Sequence, residues 1–248
     1  MAPDAGAGAA LAALVGRYGL NERQHEQLRG LLDALASDER APTAVRSPQR
    51  SVNAHLADSL AALEFDVIRS AATIVDVGAG AGFPGLPLAV AMPGDDVRLL
   101  ESQTRKCDFM TGVIGRVGVE NARVVCERAE DWRDGEGRHD VAVARAVAAQ
   151  PVVLEYAAPL LRLGGTLMDW RGRRDREEEE TALRAADELG LRRTEVRAVA
   201  PFEGATDHHL HLYVKVRDTP ERFPRRAGMA RKRPLGYGGR EASDRDRR

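Results

Sequence analysis

Residues 73–90 read Thr-Ile-Val-Asp-Val-Gly-Ala-Gly-Ala-Gly-Phe-Pro-Gly-Leu-Pro-Leu-Ala-Val, and few folds accommodate such a stretch. The β-branched run at 73–77 predicts a short buried strand. Gly78, Gly80 and Gly82 then alternate with alanines. Pro84 and Pro87 bracket an apolar run, as at the first turn of a helix. Strand, glycine turn and helix start make the first half of a βαβ unit that binds nucleotides. Without a Cβ, the turn lets backbone approach a ligand closely.

The type of nucleotide is narrowed by what surrounds the turn. No Lys-Ser or Lys-Thr pair follows it, which excludes a P-loop. Asp76 stands two residues before the first glycine, where it would repel a pyrophosphate. A ligand carrying a sulfonium and an ammonium meets no such penalty. S-adenosylmethionine (SAM) is such a ligand, and acid-x-Gly-x-Gly-x-Gly is its usual first motif. Another nucleotide, or a purely structural glycine turn, remains the alternative on pattern alone.

Downstream, residues 97–100 predict a second strand ending in Glu101, about twenty residues past the glycines. A carboxylate there faces ribose hydroxyls in βαβ nucleotide folds. A helix is expected over 104–117, with Arg105 and Lys106 in its first turn. Cations are not favoured there by the helix dipole; a local anionic partner would offset the cost, and a surface pair with Asp108 or Glu101 would serve equally well. A third strand at 122–126 leads into Glu127-Arg128-Ala129-Glu130, the loop that frames adenine in SAM enzymes. Ala129 is small enough for a ring to lie against backbone, and Glu130 or the adjoining amides could bind its edge. A fourth strand at 141–144 is closed by Arg145, beside the crevice where such sheets reverse strand order. Arg145 is therefore the site candidate of the second half, the alternative being an arginine paired with a structural carboxylate.

Residues 151–161 predict an apolar helix, 167–170 a fifth strand, 174–189 an acidic surface helix, and 191–199 with 210–216 a closing hairpin. His209 and His211 would share one strand face, but no acid or cysteine is set at ligand spacing, so no metal is expected. Upstream, helical spacing recurs at Leu11, Leu14, Val15 and Tyr18 and at Leu28, Leu31, Leu32 and Leu35. Asn21 is a plausible N-cap for the second run. A third helix is expected over about 52–68. The organisation expected is a helical extension (1–70), a SAM-binding core (71–217) and a flexible basic tail (218–248).

Overall charge is uninformative: the 248 residues carry a net charge of -1. Its distribution says more. From 217 onward arginines and lysines cluster among prolines, including Arg225, Arg226 and Lys232, which suits contact with a phosphate backbone. A solvated end is the alternative. Cys107 and Cys126 are the only cysteines and are far apart in sequence, which argues for a reducing compartment, with Cys126 as a buried inert thiol. No signal-peptide pattern or membrane-length apolar run is present, so a soluble cytoplasmic monomer is expected.

The methyl acceptor is bounded by what the chain lacks. Pyrimidine carbon-5 methylation needs a thiolate, usually after proline, and neither cysteine follows one. Exocyclic amine methylation usually employs Asn/Asp-Pro-Pro-aromatic after strand four, where this chain has Ala144-Arg145-Ala146-Val147. An arginine suits an acceptor with no proton to lose, such as a purine ring nitrogen, attacked by in-line displacement.

With these residues in view, the chain resembles the RsmG (GidB) family of bacterial small-subunit (16S) rRNA guanine-N(7) methyltransferases. The resemblance rests on Asp76 through Leu88, on Leu100-Glu-Ser-Gln-Thr-Arg-Lys, on Glu127-Arg-Ala-Glu-Asp and on Ala144-Arg-Ala-Val-Ala. It also includes His55-Leu-Ala-Asp-Ser-Leu and the tail segment Pro224-Arg-Arg-Ala-Gly, and covers roughly residues 10–235. It implies a class I SAM-dependent methyltransferase, a Rossmann-like, seven-stranded, mostly parallel α/β sheet. Its implied cofactor site comprises Asp76, Gly78, Gly80, Phe83, Glu101, Ser102, Ala129 and Glu130, with Arg145 near the reaction centre. Arg105, Lys106, Arg128 and the tail cations are implied to face 16S rRNA or the small ribosomal subunit. Two departures stand out: Arg46-Ser-Pro-Gln-Arg replaces the family's Asn-Leu-Thr, and Trp170-Arg171-Gly172 replaces Leu-Lys-Gly. A non-catalytic RNA-binding scaffold and a small-molecule methyltransferase are the competing expectations.

Overall fold

The computed structural model describes residues 5–39, 41–45 and 47–237. The expectations for residues 1–4, for Arg46 and for the last part of the tail, 238–248, fall outside the described residues.

Seven strands form one sheet in the order β3-β2-β1-β4-β5-β7-β6. They are β1 (Thr73–Val77), β2 (Asp96–Leu100), β3 (Ala122–Val125), β4 (His139–Arg145), β5 (Leu161–Arg171), β6 (Leu191–Ala198) and β7 (His209–Lys215). β1 to β5 are parallel neighbours, while β7 runs antiparallel to both β5 and β6. β1 pairs with β2 on one side and β4 on the other, so strand order reverses between β1 and β4. The carboxyl ends of those two strands bound the crevice that this topology opens.

The helical front end comprises α1 (Ala5–Arg17), α2 (Glu22–Ser37) and a broken series. That series runs α3 (Pro48–Ser51), a π-helical turn (Val52–Ala57), α4 (Asp58–Leu60), a 3₁₀ turn (Ala61–Glu64) and α5 (Asp66–Arg69). A single third helix does not form. The π turn widens the coil where Ala54 O takes a side-chain donor, described below. Asn21 caps α2 in a capping box: its Oδ1 accepts from Gln24 N at 3.0 Å, and its own N–H donates to Gln24 Oε1 at 2.8 Å. Leu28, Leu31 and Leu35 then fall on one buried face.

Two apolar cores lie on opposite faces of the sheet. The first joins the front-end leucines to α6 (Gly85–Ala91) and α7 (Thr104–Val117). The helical extension is thus part of the core of the fold. The second joins α8 (Gln150–Ala157), α9 (Arg176–Leu189) and tail residues Phe223 and Ala230.

Two expectations need correction. The tail is not loose over its described part: Phe223 and Ala230 are buried, and α10 (Met229–Lys232) sits against α8. Secondly, Cys107 and Cys126 are disulfide-bonded, with Cα atoms 5.8 Å apart, and Cys126 is exposed just beyond β3. The reason is topological. Cys107 opens the helix after β2 and Cys126 follows the neighbouring parallel strand, so the βαβ crossover brings together positions distant in sequence.

Candidate active site

The glycine turn follows β1 as its sequence requires. Gly78 has φ +74°, and a Cβ there would stand 2.9 Å from Val147 Cγ2 in the loop after β4. Gly85 opens α6, and a Cβ there would stand 2.8 Å from Asp76 Oδ2. In its place Gly85 N–H donates to that oxygen at 2.7 Å. Asp76 is 1% exposed, and its other oxygen, Oδ1, has no partner. Burial, only partly offset by the Gly85 bond and by the Arg145 charge, raises its pKa to about 7.

A cavity of about 390 Å³ opens at the carboxyl ends of β1, β2, β3 and β4. Gly78, Glu101, Ser102, Lys106, Arg128, Ala129 and Glu130 line it, so most of the expected cofactor residues converge there. Glu101 is buried, with Oε1 accepting from Ser102 N and Gln103 N at 2.8 and 2.9 Å, and Oε2 from Gly80 N at 3.2 Å. Lys106 Nζ stands 3.6 Å from Oε2, which answers the expectation of an anion near the start of α7. Glu130 is buried, and its Oε1 accepts from the tail amide of Gly228 at 2.9 Å.

Asp76, Gly80, Phe83 and Arg145 do not line this cavity; Gly80 reaches it only through its bond to Glu101, while Phe83 and Arg145 contact the front end. Arg145 closes β4 at 15% side-chain exposure. Its Nη1 donates to Asp58 Oδ2 at 2.7 Å and to Ala54 O at 2.9 Å. Its guanidinium lies 6.0 Å from the centre of the Phe83 ring, and that ring stacks on His55 at 4.8 Å. Burial, reinforced by the Arg145 charge, lowers the His55 pKa to about 4, so this imidazole is neutral at pH 7. His55 Nε2 lies 3.1 Å from Thr43 Oγ1, while its Nδ1 has no partner.

Asp58 is the centre of this second cluster, and sequence reasoning did not select it. Its Oδ1 faces His208 Nδ1 at 2.9 Å, and its backbone carbonyl accepts from Trp170 Nε1 at 2.9 Å. Trp170 is one of the departures from the family pattern; a leucine there would have no donor to give. The other, Arg171, donates to Asp169 Oδ2 at 2.7 Å and to Ala148 O at 3.1 Å, bracing the loop after β4. The available signal for Asp58 was the family-like segment His55-Leu-Ala-Asp-Ser-Leu, in which it stands three residues along a helix from His55.

The proposed RNA-facing cations divide. Arg105 and Arg128 are exposed, as are Arg226 and Lys232. Arg225 is instead committed to Glu155, which is 0% exposed: Nε donates to Oε1 at 2.8 Å and Nη2 to Oε2 at 2.5 Å. Its guanidinium is thus held at the protein rather than extended into solvent. His211 is likewise buried, with Nδ1 beside Gln150 Nε2 at 3.1 Å.

The cavity fits SAM. Glu101 supplies a carboxylate at the end of β2, the position from which this topology meets ribose hydroxyls, and a side chain at Gly78 would fill the passage between turn and loop; the unpartnered Asp76 oxygen lies buried beneath the turn, outside the lining. A sheet reversing between β1 and β4, with these acids at its strand ends, defines a class I SAM-dependent methyltransferase. The cofactor-bound structure of Rv0187 from MTB shares this fold at TM-score 0.53 and 21% identity, over 77% of this chain and 90% of that one.

The chain belongs to the family described as rRNA small subunit methyltransferase G, whose model matches residues 24–210. A relative of that name from Syntrophomonas wolfei is 40% identical over 183 residues, 73% of this chain and 85% of its own. Those from Chloroflexus aggregans and Thermotoga neapolitana are 38% and 37% identical, covering 87% and 88% of this chain and 92% and 95% of theirs.

Proposed function

We propose that the protein transfers the methyl group of SAM to N(7) of a guanine in 16S rRNA of the small ribosomal subunit. Membership of the family supports the substrate class, since its relatives are named for small-subunit rRNA. The observation that carries the acceptor is Arg145, anchored by Asp58 and Ala54 at the end of β4, in place of an amine-binding motif.

SAM supplies an electrophilic methyl on a sulfonium. Guanine N(7) has a lone pair and no proton, so the protein needs to align rather than deprotonate it. Arg145 can donate to guanine O6, an acceptor that arginine reads in nucleic-acid grooves, and so leave the N(7) lone pair free to attack. Asp58 fixes its direction, and neutral His55 stacked on Phe83 leaves the positive charge of the site to Arg145. The methylated base gains positive charge, which the carboxylates of Asp58 and Asp76 balance. Cys107 and Cys126, tied to each other, play no nucleophilic part. Glu101, Ser102, Ala129 and Glu130 hold the adenosine portion of the cofactor, and exposed Arg128, Arg226 and Lys232 meet phosphates. Among the described residues no helix is long and apolar enough to cross a membrane.

Borohydride reduction followed by aniline cleavage of rRNA tests the acceptor. A strain lacking the gene should lose one cleavage in 16S rRNA and regain it on complementation. Unchanged cleavage in that strain would reject guanine N(7).

A further inference from the structure

The sheet is complete at Lys215, yet the chain returns to the cofactor cavity. Thr219 Oγ1 donates to Leu189 O at 3.1 Å, Phe223 enters the second core, and Arg225 locks onto Glu155. These anchors carry the next turn across the carboxyl ends of the strands. There Gly228 N–H meets buried Glu130, and Ala230 is fully buried. Arg231 then reaches the cavity itself: it forms part of the lining, with Nη2 donating to Val147 O at 3.0 Å. Tyr156 of α8 lines the same end and interacts with both Glu130 and Arg231.

We propose that residues 223–233 form a strap completing the cofactor cavity, and that Arg231 is a cofactor-binding residue at its adenine end. The proposal rests on SAM occupying this cavity and is independent of the methyl acceptor. A guanidinium has five N–H donors, of which the Val147 and Tyr156 bonds leave the others for a ligand. It is also planar, and lies flat on aromatic rings as readily as it donates to ring nitrogens. Both modes suit a purine framed by Ala129 and Glu130. Glu130 is tied to the strap through Gly228, so cofactor and strap share a buried carboxylate. Linkage then requires that each stabilise the other.

The test uses the full chain without RNA. Calorimetric titration with SAM should show Arg231→Ala binding about tenfold more weakly than wild type, with Arg231→Lys recovering part of the loss. In the wild-type protein, SAM should slow amide hydrogen exchange across residues 225–233 several-fold. Wild-type affinity in Arg231→Ala would overturn the assignment. Should that variant also lose thermal stability, exchange decides: strap amides that exchange equally fast with and without SAM overturn the proposal. A wild-type protein that binds no SAM would instead remove the cofactor reading on which it stands.

Discussion

Asp58 and Arg145, 87 residues apart in sequence, form a 2.7 Å ion pair that joins the front end to the end of β4. Both side chains are largely buried, and each has a second partner, His208 for Asp58 and Ala54 O for Arg145. The pair sets the direction of the guanidinium, so its two halves should fail differently. Arg145→Ala removes the group that faces the acceptor and should lower kcat about a hundredfold, with SAM affinity retained. Asp58→Asn keeps the shape but loosens the guanidinium, and should lower kcat about tenfold. Single-turnover methylation of small subunits from a deletion strain, with SAM calorimetry alongside, distinguishes them. Near-wild-type turnover in Arg145→Ala would remove it from the reaction centre.

Asp76 should make stability depend on pH in the direction opposite to most carboxylates. Its folded pKa of about 7 lies above the ordinary value of 3.8. Below pH 3.8 both folded and unfolded forms hold the proton and the group contributes no difference. Between there and about 7 the unfolded chain ionises first, so stability falls as pH rises, and the full penalty remains above 7. Asp76→Asn keeps the acceptor for Gly85 N–H and removes the penalty. Its Tm relative to wild type should therefore rise between pH 5 and pH 8. SAM binding should weaken in the variant, and in the wild type it should release a proton below pH 7. Calorimetry in two buffers of different ionisation enthalpy reads that proton.

The Arg225–Glu155 pair should dominate strap stability. Arg225→Ala leaves Glu155 buried without its cation and should cost about 3 kcal/mol in urea unfolding. Replacing both residues by leucine should recover most of that loss, because no buried charge is left alone. A loss below about 1 kcal/mol in Arg225→Ala would show that the pair is solvated in solution.

What was legible in the sequence follows from how local each signal is. The strand, glycine turn and helix start of residues 73–90 and the acid of Glu101 are encoded within short windows, and α7 matches its expected span at Thr104–Val117. The hairpin β6–β7 is also local. Asp58 was hidden because its partners lie at 145, 170 and 208, and helical spacing reports only which face of a helix is apolar. The docked tail was hidden for a related reason. Prolines and arginines read as solvated, and the acid that binds Arg225 is a lone glutamate inside an apolar helix. The cysteine pair depended on strand order, which spacing does not carry.

The exposed cations should show themselves in salt dependence rather than in stability. Arg226 and Lys232 lie within the strap with exposed side chains, whereas Arg225 is paired with buried Glu155. If each exposed cation neutralises one phosphate, Arg226→Ala and Lys232→Ala should each reduce the slope of log K against log salt by about 0.7 to 0.9. Neither should change Tm, since both side chains are exposed on the strap and neither packs into the core. Filter binding to 16S rRNA fragments between 50 and 200 mM salt, a range of roughly that order for resolving such slopes, gives the measurement. Slopes equal to wild type in both variants would move the RNA surface away from the tail, towards Arg105 and Arg128.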